Sequence, residues 1–434
     1  MAPWGDSLFE LTDAALCAPG SVASVPSLSL EPVFRRSHGS LYKALALGDV
    51  SEDRLRALLV DYRPADWPQV FAVDASAWAR CDAECSPERG FCYSASRHSA
   101  GKPIVAGWNY QWISQLCFTS DSWTAPLDAV RISPLADATD STIEQVQRLC
   151  GLLGEHNGQV PLFVFDAGYN PIALSVGLGD QQVQVLVRIK SDRVFYADPV
   201  KARTPARGRP QIHGRRYKLK EPKTAPKPDA ELVLHDHRYG NVRIRAWHDL
   251  HPRLSSRRWT GTKLPIVRGS VIRVDVERLP KPFPGAKKTL YLWWSGPGEP
   301  DLSLCFRSYL RRFDIEHTYR FAKNTLGWTT PLLQTPEQAD RWTWLVIAAY
   351  TQLRLARRLV DDLRLPWESR LDPTQLTPLR VRRGFRRLRA TIGTPASPPK
   401  SDAPGPGRPK GTATGPRKRY PVIKKGARGR VIRV

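Results

Sequence analysis

A chain of 434 residues with 41% apolar content is long enough for about three domains and apolar enough to bury a core. Its formal net charge of +25 and isoelectric point near 10.1 call for a polyanionic partner, nucleic acid first. The same balance excludes a two-carboxylate hydrolase of neutral sugars.

Arginine far outnumbers lysine. That suits bidentate phosphate contact, although a GC-rich genome produces the same bias. Seven cysteines, an odd number, fit a reducing compartment. The irregular spacing of Cys81, Cys85, Cys92 and His98 matches no standard zinc site, so these read as ordinary thiols. The opening MAPWGDSLFELTD lacks a basic start and a long apolar stretch, and is not expected to be a signal peptide. The longest apolar run, Trp342 to Tyr350, is too short for a bilayer. A cytoplasmic bacterial protein with no membrane partner is expected.

Residues 1–66 read as a helical N-terminal region. Ser51 is placed to cap a helix whose first turn carries Glu52 and Asp53. With the preceding SLYKALALG it makes a helix, turn and helix, read as two-helix packing or as a DNA-reading pair. At Val70 the period changes. VFAVDAS is a continuous apolar run ending in Asp74, the mark of a strand buried on both faces. Further strands are expected over 103–116 and 128–135. A helix then opens at Ser141, with Glu144 completing a capping box. PLFVFDAG follows, a second apolar strand and a near copy of the first, ending in Asp166. An acid there is costly unless it caps a turn or binds a cation. Two in matched positions suggest a shared site.

After the strand VQVLVRIK, residues 195–298 read as a β-rich insertion, basic and proline-rich at its start. A long helix is expected from about Glu337 to Leu363, and Arg380 to Arg389 is dense in arginine. The tail over 396–434 is basic and rich in Pro and Gly, so it is expected to be disordered. Its GRPKG at 407–411 resembles a minor-groove AT-hook through Arg408 and Lys410, or is a generic basic tail.

Between insertion and tail lies YLRRFDIEHTYRFAK, Tyr309 to Lys323. Read as one helix, it puts Tyr309, Arg312, Glu316 and Lys323 on a stripe about 60° wide, with Asp314 facing elsewhere. Alone, such a stripe is a solvated face with i,i+4 ion pairs. Beside Asp74 and Asp166 it completes a set of three acids without His or Cys. Such a set suits hard divalent ions that activate one oxygen and stabilise another in phosphodiester chemistry. No G-x-S-x-G, H-E-x-x-H or Walker loop competes with it.

The order Asp74, Asp166, Glu316, with a β-rich insertion before the glutamate, resembles the DDE transposases of bacterial insertion sequences. The spacing of Tyr309, Arg312, Glu316 and Lys323 is that of the family's Y-R-E-K signature, and the resemblance covers about residues 66–365. It implies an α/β, ribonuclease-H-like mixed sheet flanked by helices, split over 67–194 and 299–395. It implies Asp74, Asp166 and Glu316 as catalytic metal ligands for two Mg²⁺ ions, with Mn²⁺ able to substitute. It further implies cut-and-paste transposition, terminal inverted repeats and target DNA as partners, and a homodimer on the DNA ends. Tyr309, Arg312 and Lys323 would contact the cleaved strand. A tryptophan of the insertion stacks on a flipped base in such relatives, and Trp293 or Trp294 matches it by position. The competing reading is a transposase-derived DNA-binding protein that no longer cuts.

Overall fold

Val70 to Val73, four apolar residues fully shielded from solvent, begin the first strand, β1 (Val70–Ala79). The computed structural model describes residues 4–94, 103–154, 158–200, 211–255, 259–260, 264–280, 287–399, 411, 415–424 and 432–433. Before β1 come α1 (Gly5–Cys17), α2 (Val25–Leu28), α3 (His38–Leu47) and α4 (Glu52–Asp61). After it follow β2 (Gly90–Tyr93), β3 (Ile104–Leu116), β4 (Thr124–Ile132), α5 (Ala138–Leu153), β5 (Leu162–Phe165), α6 (Pro171–Gly177) and β6 (Gln184–Ile189). The β-rich stretch holds β7 (Val194–Tyr196), β8 (Arg216–Lys218), β9 (Ala230–Asp236), β10 (Gly240–Pro252), β11 (Trp259–Thr260), β12 (Gly269–Val276) and β13 (Thr289–Ser295). Then come α7 (Leu302–Arg311), α8 (Asp314–Asn324), α9 (Pro336–Ala356), α10 (Pro378–Ile392) and β14 (Ile432–Arg433). No described helix is long and apolar enough to cross a membrane.

These elements form two interleaved units. One contains Met1–Trp67, Ala75–Ala136 and Asp314–Lys425; the other contains Pro68–Asp74, Asp137–Phe313 and Gly426–Val434. Strand β1 belongs to both, and the division falls directly after Asp74.

In the first unit β3 pairs antiparallel with β2 and β4. Its core is aromatic: Trp112 packs on Trp328 at 4.7 Å between centroids, and Trp328 stacks on Tyr319 at 5.8 Å. Helices α1, α3, α9 and α10 pack together. Buried arginines of α10 fasten it to α1 and the residues after it: Arg389 Nε reaches Asp13 at 2.6 Å, and Arg382 donates to the Ala15 and Gly20 carbonyls. On α4, Arg56 Nε meets Asp128 of β4 at 2.8 Å. Helix α3 packs on α1 and α9, and α4 packs on β4 and α9. Ser51 precedes α4 as expected, but its side chain makes no capping bond.

In the second unit β1, β5 and β6 run parallel, and β13, β12 and β10 continue antiparallel from β6. β9 and β7 both pair with β10, β8 pairs with β7, and β11 pairs with β14. Strand β5 (LFVF) and the first four residues of β1 (VFAV) are uninterrupted buried apolar runs, as strands covered on both faces are. Helix α5 starts a turn earlier than Ser141: Asp137 accepts the Thr139 and Asp140 amides, and a carboxylate is the stronger cap.

The tail also departs from expectation. Residues 415–424 lie in extended form against the first unit, and Ile432–Arg433 pairs with β11. Arg408 and Lys410 fall outside the described residues, as does His98.

Candidate active site

The second unit brings the two aspartates together. Register Val70↔Leu162 through Ala72↔Val164 carries forward two residues to pair position 74 with 166. Parallel neighbours lie about 4.8 Å apart and matched residues point to the same face. Each acid is the first half-buried residue after four buried ones, at the carboxyl end of the apolar run.

The turn after β5 shapes the site further. Gly168 donates its amide to Asp166 Oδ1 at 2.7 Å, an Asx turn, and Asn170 then caps α6 with Pro171 at its first position. Between them stands Tyr169, half-buried, its ring 5.1 Å from that of Phe165. Burial pushes the Tyr169 phenol well up, the charges of Asp74 and Asp166 push the same way, and Arg312 opposes them. Tyr169 is thus a neutral O–H held beside two carboxylates. Residue-by-residue reading missed Tyr169 and Gly168, and the only signal was their place in a turn directly after an acid.

Arg312 supplies the balancing charge, with Nη1 standing 3.7 Å from Asp74 Oδ2 and both side chains largely buried. The helix carrying it differs from expectation. Tyr309 to Lys323 is not one helix: α7 ends at Arg311 and α8 begins at Asp314. The Arg312 amide bonds back to Ser308 and Leu310, and Phe313 closes a tight turn on Leu310. The single stripe from Tyr309 to Lys323 therefore does not exist as a helix face.

Tyr309, on α7, lines a cleft of about 900 Å³ that includes Ala167, next in chain to Asp166. Tyr239 and Tyr291 line it as well, with Arg188, Lys190, Lys220 and Lys287. This is a cationic, ring-bearing channel. Trp293 and Trp294 are not part of it. They are 0% and 3% exposed, their indole N–H groups donate to Ser175 and Gln184, and Trp293 stacks on Phe195 at 5.3 Å. Neither ring offers a face to a base, because their strand is interior to the sheet.

In the first unit Glu316 sits half-buried in the first turn of α8. Asp314, expected to face away from the stripe that carries Glu316, is buried. Lys323 donates from Nζ to the Ala77 carbonyl at 3.0 Å and lies 5.6 Å from the Trp328 ring centre; burial lowers its pKa. Among the described residues no group of three or more His, Cys, Asp and Glu side chains stands as a ready-made metal cage. The donors at Asp74 and Asp166 nonetheless fit a hard divalent ion, which is commonly held by one or two carboxylates plus substrate phosphates.

A family model described as DDE superfamily endonuclease matches residues 4–253, more than half of the chain. The match includes Asp74 and Asp166 and ends before Glu316. A comparison with curated proteins found no match. Among solved structures the chain is similar to one described as the cryo-EM structure of the piggyBac transposase synaptic complex with hairpin DNA, at 11% identity and a TM-score of 0.37. That likeness covers 80% of this chain, which spans only 64% of the other.

Proposed function

The chain belongs to the DDE superfamily endonuclease family, and from that premise we propose that it is the transposase of a bacterial insertion sequence, cutting DNA at the element's ends and joining them to target DNA. What supports this reading is the parallel register of β1 with β5, Val70↔Leu162 to Ala72↔Val164, which carried forward two residues sets Asp74 level with Asp166, and the charge that both place on Tyr169. In a ribonuclease-H-like sheet such strand-end acids are two of the three ligands, and Glu316 is the third.

Members of this family typically use divalent metal ions, here two Mg²⁺ with Mn²⁺ as substitute. When bound, such ions activate the attacking oxygen and stabilise the leaving one. The chain's own residues do the rest. Asp74 and Asp166 present hard oxygen donors, and Tyr169 keeps its proton between them. Arg312 neutralises Asp74 until a phosphate arrives and then turns its fork to that phosphate. The cleft lined by Tyr239, Tyr309 and cations receives the single-stranded end, stacking bases on rings and pairing phosphates with ammonium and guanidinium groups. Water attacks the phosphodiester at the element's end and the 3′ oxygen leaves. The freed 3′-OH then attacks a target phosphodiester, whose own 3′ oxygen leaves. We place this work on a homodimer at paired inverted repeats, in the cytoplasm at the nucleoid.

The test is nicking of a supercoiled plasmid, and cleavage of duplexes carrying repeats from the gene's flanks, in Mg²⁺ or Mn²⁺. Asp74→Asn, Asp166→Asn and Glu316→Gln should each reduce cutting by at least about a thousandfold, since the ions are asked for several kcal/mol of barrier. Duplex binding should survive. Cutting by any of the three at the unaltered rate would contradict the reading.

A further inference from the structure

The C-terminal stretch is fastened to the first unit at two places. Upstream, Arg35 donates to the Ala396 carbonyl at 2.8 Å and Arg36 to the Ser397 carbonyl at 2.9 Å; Glu10 and Asp6 hold these guanidinium groups in turn. Downstream, residues 420–423 bond to the loop over 84–89 and reach the first residue of β2, an edge strand that pairs with β3. The Tyr420 amide donates to the Glu84 carbonyl at 2.8 Å, and the Ile423 amide donates to the Arg89 carbonyl at 2.8 Å. Ile423 forms a parallel bridge with Gly90. The buried Arg89 returns a bond from Nη2 to the Tyr420 carbonyl at 2.8 Å. Arg419 meets Glu84 at 3.2 Å, and Lys418 Nζ lies 5.0 Å from the Tyr420 ring centre.

Main-chain bonds of this kind cover a sheet edge and set the register of the added segment. Side-chain exposure then sorts by position. Tyr420 and Ile423 are half-buried, whereas Arg417, Lys418, Arg419 and Lys424 are exposed. A free basic tail must be ordered when it meets a polyanion, and that ordering reduces affinity. A segment already held by backbone bonds presents its cations at set positions.

We propose that residues 417–424 form a docked strap, a strip of cations fixed on the loop that leads into β2, and that it contacts the phosphate backbone of duplex DNA. The inference rests on the reading of DNA as partner but not on any catalytic role. It separates this strip from the Gly- and Pro-rich stretch that precedes it.

Three measurements on the full chain test it, all without reading cleavage. Amide hydrogen exchange should show Tyr420 and Ile423 protected. The double variant Tyr420→Pro with Ile423→Pro deletes both donors and leaves the charge unchanged. It should lose protection and bind nonspecific duplex about tenfold more weakly at fixed salt, because the cations must then be ordered on binding. The variant Arg417→Gln with Lys418→Gln and Lys424→Gln should stay docked, while its slope of log K against log salt shrinks by about 0.9 for each phosphate that is no longer neutralised. Unprotected amides in the native chain would overturn the strap. So would native affinity in the proline variant, or a native salt slope in the glutamine variant. A native chain that binds no duplex would instead overturn the DNA partner itself, whatever the exchange shows.

Discussion

Asp166 accepts the Gly168 amide, and a Cβ added to Gly168 would stand 3.0 Å from the same carboxylate oxygen. Gly168→Ala therefore crowds the Asp166 carboxylate oxygen proposed to hold a metal ion, from an exposed turn. Plasmid nicking should fall by about tenfold to a hundredfold, as small misplacements at a reacting centre do. The melting temperature should barely move, because an exposed turn residue carries little packing. Native nicking by this variant would show that the Asp166 carboxylate tolerates displacement. Asp74 and Asp166 were legible in the sequence because VFAVDA and LFVFDA share one pattern, and strand pairing converts a shared pattern into shared register. Tyr169 was not legible. Its role comes from burial against Phe165 and from two carboxylates, one of them 95 residues earlier in the chain, and no local spacing encodes that.

At the scale of elements, the strands were readable and the helix that seemed most informative was not. Wheel angles assume an unbroken helix, yet the chain turns at Arg312–Phe313 and restarts at Asp314. There Asp314 and Glu316 sit favourably in a first turn, where helix dipoles welcome acids. A spacing that resembles Y-R-E-K can thus stand in the sequence while the helix face inferred from it does not form. Strand β10 supports a separate prediction. His251, fully buried, stands 3.0 Å from His213 through its Nε2 and 3.5 Å from Asp198, which also pairs with Arg268. Burial lowers the His251 pKa, His213 and Arg268 lower it further, and Asp198 opposes them. A histidine whose folded pKa is depressed stabilises the fold above its unfolded pKa of about 6.5, and that contribution is lost as pH falls through this range. Thermal melting followed from pH 8 to 5 should show this loss in the native protein and a shallower one in His251→Gln. Parallel curves would remove the His251–His213 pair as the cause.

For the whole molecule, a charge of +25 overstates the surface offered to DNA, because many arginines are spent inside the first unit. Arg382 donates to the Ala15 and Gly20 carbonyls and Arg89 to those of Ser86, Arg80 and Tyr420, whereas an ion pair such as Arg389 with the buried Asp13 cancels within the net charge. Composition counts such residues but does not show which face inward. Arg389→Ala would leave Asp13 buried and uncompensated and should destabilise the protein by roughly 3–5 kcal/mol in urea unfolding. Adding Asp13→Asn should recover part of that; an additive double variant would mean the pair is not coupled. The central claim is that Asp74, Asp166 and Glu316 hold one set of divalent ions. Its most direct measurement replaces those ions with Fe²⁺ and adds ascorbate and peroxide, so that radicals made at the bound iron cut the nearby backbone. Peptide mapping should find cuts beside positions 74, 166 and 316, all suppressed by excess Mg²⁺ and lost in Asp166→Asn. Cuts at 74 and 166 without one at 316 would contradict the claim.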